Sequence, residues 1–480
     1  MRYLYTIYFC FLGFSVFGQN VLSLKEAIEI AQSNSLQGKE FTATQEAAEW
    51  EFKSFRASFL PQLSLEASPA SYSNTFNPIT QPDGGVEYQS IEQNNGSIQL
   101  NLSQEIVSTG GQLYVGSQLV RFDDFLQSQH QYNAQPFFIG YSQPILKYNE
   151  LKWQRKLQPL QLEEAQKGYS EDMEWLGLQT TNLFFVALKA QIQSKIAQNN
   201  LSDNQKILKI TEEKLALGRA SKNDLLQVKL NVLNAGKQFS DAELNNMMAL
   251  RALCDFLNLD PEDRSLSLQL PQILDLKEVS ADLAWKKAQT NRKDFVTYHK
   301  KMIEAESEVA RVKRNNRFQA DLNVAIGFNN QANSLDQTYS NTVQSQQVNL
   351  SLSMPIVDWG KGKGVIKAAQ LKRKRIEANV ERDKMTFERD VINTVQQLSN
   401  ASIQVDRNME AQEIASEKYE IALSKFSLGE LSMRELVWNT SEKDAAQNEY
   451  ILALESYWLS FYQLRTLTLF DFETQQDIHY

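Results

Sequence analysis

The sequence predicts an α+β chain made of two copies of one unit, each joining alternating β-strands to an antiparallel hairpin of long helices. Three observations carry this reading. The chain repeats itself in two registers, it holds helical stretches far longer than a globular helix, and it holds period-two segments that are apolar on one face and uncharged polar on the other.

The repeat comes first. Ala27-Ile28-Glu29-Ile30-Ala31-Gln32-Ser33-Asn34 resembles Ala284-Trp285-Lys286-Lys287-Ala288-Gln289-Thr290-Asn291, an offset of 257. Pro144-Ile145 matches Pro355-Ile356 at an offset of 211, and at that offset Lys214-Leu215-Ala216-Leu217-Gly218 matches Lys425-Phe426-Ser427-Leu428-Gly429. The same register joins Asp224-Leu225 to Glu435-Leu436, Ala235 to Ala446 and Phe239 to Tyr450. The offsets differ by 46, so the first copy carries about 46 extra residues between Leu65 and Pro144.

The helices follow from heptads. From about Val365 to Leu428, Val380, Phe387, Thr394, Ala401, Ala415 and Ala422 recur at multiples of seven, with Val391, Leu398, Val405, Tyr419 and Phe426 at the complementary position. A helix of that size spans roughly 100 Å. The first copy offers Leu151 to Leu217, with Pro159 as an early kink or start. Each stretch ends at a Leu-Gly pair, Gly being suited to the left-handed closing residue, and Ser221 and Ser432 are placed to cap the returning helices.

The strands are expected near 60–72, 96–107, 112–122 and 135–146 in the first copy, and near 319–329 and 346–357 in the second. Ile98, Leu100 and Leu102 alternate with Gln99, Asn101 and Ser103, and Leu322, Val324, Ile326 and Phe328 with Asn323, Ala325 and Gly327. Such segments are either transmembrane barrel strands or a half-buried sheet in a soluble protein. The polar links Asn74–Asn95 and Asn329–Gln347 read as long loops, and Ser108-Thr109-Gly110-Gly111 as a tight turn. Six strands cannot enclose a wide pore, so a barrel would need the edges paired by other copies.

Composition bounds function. With 49 Lys+Arg against 58 Asp+Glu, the chain lacks the basic footprint of a nucleic-acid binder. Its mean hydropathy of −0.43 and the lack of any long apolar run beyond the N-terminus exclude a polytopic helical membrane protein. Residues 1–18 read as an export signal: Arg2, an uncharged apolar core from Tyr3 to Phe17, and a cleavage site before Gln19. Cleavage would leave Cys254 as the one cysteine. Catalysis finds no support, since His130, His299 and His479 have no ligand spacing and no G-x-S-x-G occurs. No cofactor or metal is expected. Gly360-Lys361-Gly362-Lys363-Gly364 lacks the downstream Lys-Ser/Thr of a phosphate loop. Lys372-Arg373-Lys374-Arg375, with Lys361, Lys363 and Lys367 upstream, is read as a solvated helix face, or alternatively as a contact for anionic cargo.

These features together resemble the TolC-like outer-membrane factors of bacterial efflux and type I secretion systems. The resemblance runs from about Leu22 to Leu469. It rests on the opening Leu22-Ser23-Leu24-Lys25-Glu26-Ala27-Ile28, the strand start Phe59-Leu60-Pro61-Gln62-Leu63, the segment Ser353-Met354-Pro355-Ile356-Val357-Asp358-Trp359-Gly360, both Leu-Gly tips and the final amphipathic helix. It implies a homotrimer sharing one outer-membrane β-barrel that continues into a long antiparallel coiled-coil α-helical barrel across the periplasm. The partners it implies are outer-membrane lipid, a periplasmic adaptor (membrane fusion) protein and an inner-membrane pump. The family's usual count is four barrel strands per protomer, so the insertion either widens the barrel or lies outside it.

The resemblance divides the chain into a signal peptide (1–18), periplasmic helix (19–59), barrel strands with an inserted hairpin (60–148) and helical hairpin (149–259). An equatorial linker (260–280) leads to the second periplasmic helix (281–317), strands (318–358) and hairpin (359–470), and then to a tail (471–480) with no assignable role. Adaptor docking is implied at the tips, Leu217, Gly218, Arg219, Ala220 and Ser221, and Leu428, Gly429, Glu430, Leu431 and Ser432. The family's gate carboxylates fall on Asp224 and Glu435. Its basic partner falls on Leu431 and a second acidic position on Trp438, so the polar lock cannot be copied in full, and Arg219 and Arg434 are the nearby substitutes. A soluble periplasmic coiled-coil adaptor or scaffold is the alternative.

Overall fold

A computed structural model describes residues 21–218, 220–259, 266–274, 276 and 279–480. The expected signal peptide (1–18), the tip residue Arg219 and linker residues 260–265, 275, 277 and 278 lie outside the described residues.

The chain opens with β1 (Val21–Leu22), α1 (Leu24–Asn34) and α2 (Leu36–Ala57), followed by β2 (Gln62–Ser68), β3 (Tyr72–Thr80), β4 (Val86–Ile106), β5 (Gly111–Asp124) and β6 (Gln129–Ile145). Two long helices come next, α3 (Glu150–Ala216) and α4 (Lys222–Leu257). The second repeat runs through β7 (Ser267–Leu268), α5 (Ala281–Asn291), α6 (Lys293–Asn315), β8 (Gln319–Ala332), the short α7 (Leu335–Thr338) and β9 (Val343–Ser353). It closes with α8 (Lys361–Leu428), α9 (Met433–Thr468) and a small hairpin of β10 (Phe470–Asp471) and β11 (Gln476–Asp477). The chain forms two compact units. One takes the chain up to Thr44, Lys167–Arg292 and Thr386–Tyr480; the other takes Gln45–Gln166 and Lys293–Met385.

The repeat is visible in the backbone. One extended residue separates α1 from α2 and another separates α5 from α6: Ser35 (ψ 155°) and Arg292 (ψ 142°), again 257 residues apart. The long helices contain 67 and 68 residues. α3 runs through Pro159, which therefore marks neither its start nor its end. Every heptad position named above is buried in α8 except Ala415, which is half-buried.

The sheet lies wholly in the second unit. Its order is β2-β4-β5-β6-β8-β9, with every described neighbour antiparallel, and β3 also pairs with β4. β2 lies along Ser97–Ser103 and β3 along Val86–Asn94, so both occupy one column and the sheet is six columns wide. The inserted residues stand within this order, not outside it. The expected loop Asn74–Asn95 is corrected here: most of it is the β3–β4 ribbon, turned at Gly84 (φ +85°). Its alternating Tyr72, Phe76 and Tyr88 favour strand despite the polar residues between them. The expected loop Asn329–Gln347 shrinks likewise, because β8 and β9 pair out to Asn329 and Val343.

Register sorts the two faces. Leu65 stands opposite Leu100, Leu102 opposite Val115, Val115 opposite Ile139, Ile139 opposite Ile326, and Val324 opposite Val348, which makes one apolar band across all six columns. From Leu322 to Phe328 the band extends about 20 Å along the strand. The other face carries Ser64, Asn101, Gln118, Ser142, Asn323 and Ser351. On it Phe138 and Tyr114 lie flat over glycines: a Cβ at Gly116 would come within 2.4 Å of the Phe138 ring, and one at Gly140 within 2.2 Å of the Tyr114 ring. β6 carries one extra residue against both neighbours, between Gln135 and Phe138 facing β5 and between Ala134 and Phe137 facing β8, and Pro136 lies in both intervals; a bulge tolerates its missing N–H.

In the first unit Leu176, Phe184, Phe185 and Leu188 of α3 and Leu454, Tyr457, Phe461 and Leu464 of α9 are fully buried. The tail, unread in the sequence, is part of this unit. Arg465 makes two 2.9 Å hydrogen bonds to Glu174, which is 1% exposed, and a 2.7 Å bond to Asp471. The Tyr480 hydroxyl donates to Glu174 at 2.6 Å and accepts from Gln32 at 2.8 Å. Lys287 and Asn291 of α5 both reach Asp477. Burial opposes the Arg465 charge, but Glu174 and Asp471 outweigh it and hold its pKa above the usual value.

Removing Glu174 would leave the buried Arg465 guanidinium with Asp471 alone and take the Tyr480 hydroxyl's acceptor away. Glu174→Ala should lower local stability by about 3–5 kcal/mol, seen by amide exchange as lost protection in α1, the end of α9 and the tail. Glu473→Ala, at an exposed site, should change the same protection by less than about 0.5 kcal/mol.

Candidate functional site: the helical hairpin tips

Both long helices end in the same way. After α3, Gly218 has φ +72°; after α8, Gly429 has φ +84°. No atom lies within 4 Å of where a Cβ would stand at either, so glycine is required by conformation and not by space. Ser221 then caps α4: its hydroxyl accepts from the Asp224 N–H at 3.1 Å, and the Asp224 carboxylate accepts from the Ser221 N–H at 2.9 Å and hydroxyl at 2.7 Å. Ser432 and Glu435 repeat the box at the start of α9, at 3.3, 3.0 and 2.7 Å.

These boxes change the reading of the expected gate residues. Asp224 and Glu435 are each held by the cap serine of their own hairpin, and the serine hydrogen bonds lower both carboxyl pKa values. Arg434 is exposed and forms no ion pair among the described residues, and Trp438 is 68% exposed. Leu217 and Leu428 are 72% and 74% exposed, and Ser432 and Glu430 are exposed as well. Arg219 lies outside the described residues.

The two tips do meet, through apolar contacts. Ile207 of α3, Val228 of α4, Tyr419, Ala422 and Phe426 of α8, and Leu436 of α9 form one buried cluster, with Leu431 packed against it. Leu431 thus contributes packing where a basic residue would have contributed charge. Lys214 donates to the Phe426 carbonyl at 3.2 Å.

Behind the tips runs a polar ladder that sequence reasoning missed. The Tyr419 hydroxyl donates to Asp203 at 2.7 Å, Asn200 donates to Asp444 at 2.7 Å, and Lys189 pairs with Glu455 at 2.7 Å. Lys443 stands 3.9 Å from the Tyr419 ring centroid. Burial raises the Asp444 pKa. Tyr419 sits at a heptad core position, and its hydroxyl was the available hint, since a buried Tyr O–H needs a partner. Among the described residues no group of His, Cys, Asp and Glu could hold a metal ion.

Solved structures share this architecture. The Campylobacter jejuni CmeC outer membrane channel matches with a TM-score of 0.66 at 18% identity, over 95% of this chain and 86% of that one. The outer-membrane channel OprN matches at 0.67 and 14%, over 94% and 90%, and the outer membrane protein VceC from Vibrio cholerae at 0.63 and 13%, over 93% and 95%. In fold, the protein is TolC-like. Residues 285–468 match the model of the outer membrane efflux protein family, which places that sequence signature on the second repeat of the TolC-like chain. No curated protein sequence matches. No described helix is long and apolar enough to cross a membrane.

The tip caps are directly testable. Ser221→Ala and Ser432→Ala should each destabilise the first turn of the returning helix by about 1 kcal/mol, measured as faster amide exchange confined to α4 and α9 starts. Because both carboxyl pKa values are lowered, the cap contribution is complete at neutral pH. It should be lost as pH falls through those lowered values, beneath the ordinary carboxyl range.

Proposed function

We propose that the protein is the outer-membrane channel of a tripartite efflux or type I secretion system. Three copies close one β-barrel in outer-membrane lipid, the long helices line a periplasmic tunnel, and the hairpin tips dock a periplasmic adaptor and open toward an inner-membrane pump. The observation that carries this is the sheet: an apolar band on one face, a polar face rich in Ser, Asn and Gln on the other, and, among the described residues, no strand paired to the outer edges of β2, β3 and β9. Exposed strand edges are untenable in lipid, and sister copies are the simplest source of matching edges. Three copies of six columns give a wall 18 columns around, so the inserted hairpin widens the barrel. A soluble adaptor or scaffold would have no use for an exposed apolar band of this extent.

Transport through such a duct requires no bond chemistry. It requires a polar wall, supplied by Ser64, Asn101, Gln118 and Asn323, and an entrance that opens. The exposed Leu217, Leu428 and Trp438 offer apolar anchors to an adaptor, and the Tyr419–Asp203 and Asn200–Asp444 bonds tie the two hairpins together.

Purified protein should migrate as a heat-modifiable oligomer and conduct in planar bilayers from a mostly closed state. A hydrogen bond to a charged group contributes about 1.5–3 kcal/mol, so Tyr419→Phe in all copies should raise open occupancy at least about tenfold. A detergent-independent monomer without conductance would end the channel reading; unchanged occupancy in the variant would end the gating role of the ladder.

A further inference from the structure

The charge of the chain is unevenly placed. Four stretches join helices to the sheet: 50–61 before β2, 146–157 after β6, 308–318 before β8 and 354–375 after β9. Together they hold 17 Lys and Arg against 4 Asp and Glu, in a chain whose net charge is −9. Pairing of Gln62 with Ser103, Ile145 with Ala320 and Gln319 with Ser353 brings all four junctions to one end of the sheet, within the second unit. The opposite end is reversed: residues 81–95, 121–131 and 329–345 hold six Asp and Glu against one Arg.

Local pairing does not neutralise the basic end. Arg311 pairs with Glu308 and Arg373 with Glu377, but Lys361, Lys363, Lys367, Lys374 and Arg375 are exposed and form no ion pair among the described residues. Aromatic and apolar side chains stand among the cations. Lys53 lies 4.3 Å from the Trp50 ring centroid and Lys156 lies 5.0 Å from that of Trp153. Trp359 is 96% and Ile356 87% exposed, directly before Lys361 and Lys363. A cleft of about 460 Å³ beside them is of mixed charge, lined by Lys372, Arg373, Arg375 and Arg382 and also by Glu304, Glu308 and Asp383.

We propose that this belt binds the anionic phospholipid headgroups of the leaflet that borders it. Lysines and arginines contact phosphate, while Trp50, Trp153 and Trp359 sit at headgroup depth. The proposal rests on the sheet spanning a bilayer, as read above. Three features together select a lipid surface. The sign of charge is opposite to that of the lipid, Trp paired with cations is the composition of a membrane interface, and the cations continue directly from the apolar band of the strands. An anionic cargo passing a polar wall would call for the charges without the exposed Trp and Ile. Fixing the protein by this belt would set the depth and tilt at which the barrel sits, and so the height of everything joined to it.

The test compares two lipids on one protein. Purified oligomer in neutral detergent is titrated with phosphatidylglycerol or phosphatidylcholine, and retained lipid is counted by native mass spectrometry. Each basic residue near an anionic surface is worth about fivefold in binding, so phosphatidylglycerol should be retained at least about tenfold better, with the preference collapsing at high salt. Lys361→Gln/Lys363→Gln/Lys367→Gln/Lys374→Gln should lose at least about tenfold of that preference, with heat-modifiable migration and conductance as in the parent. If the fourfold variant does not assemble, Lys361→Gln/Lys363→Gln is used and should lose part of the preference. Equal retention of the two lipids, an unchanged preference in the variants, or altered ion selectivity of the conductance with lipid preference intact would each overturn the proposal. Conductance and migration report on the channel reading separately, so its failure cannot be confused with failure of the belt.

Discussion

Every backbone N–H and C=O placed in hydrocarbon must be paired within protein, and among the described residues the six-column sheet leaves two long edges unpaired. From that constraint most of the molecule follows. A sheet whose apolar side faces outward cannot bury it against helices of its own chain, because those helices begin where the strands end. In the proposed channel, closure by sister copies would satisfy the edges and the apolar face together, and would turn Ser64, Asn101, Gln118 and Asn323 into a polar wall. Tyr114 and Phe138, lying flat on Gly140 and Gly116, would keep that wall smooth where large side chains would otherwise project from it.

The helical part obeys a different balance. Neither 67 nor 68 residues of helix could be held by propensity alone, and both depend on buried apolar side chains interrupted by polar bonds. Apolar packing at Ile207, Tyr419, Phe426 and Leu436 holds the tips together, while the serine boxes define where each returning helix starts. Farther along, the Glu174–Arg465–Asp471 network ties α1, α3, α9 and the tail into one body. A buried pair of this kind does more to specify geometry than to add stability.

Periodicity made the strands of the apolar band legible, because Leu63–Leu65 and Leu322–Phe328 carry the two-residue repeat without interruption. It failed for the β3–β4 ribbon, whose Asn, Thr and Gln residues interrupt the apolar alternation and read as loop. The cap serines were readable from Leu-Gly-x-x-Ser spacing. The polar ladder was not: Asp203, Asn200 and Asp444 are ordinary helix residues until the fold brings them within 2.7 Å of their partners. The tail was opaque for the same reason, as Tyr480 acquires meaning only beside Glu174. The lateral order of the insertion was likewise undetermined in one dimension, since register across strands is set by pairing and not by composition.

Edge closure between copies is the claim on which the rest depends, and thiol cross-linking tests it most directly. With Cys254 replaced by Ser, single cysteines along β2 (62–68) are paired with single cysteines along β9 (343–353) and oxidised in intact membranes. The account predicts that at least one register yields a covalent trimer on non-reducing gels, lost on reduction. Monomers alone at every register, or bridges formed solely within one chain, would contradict it.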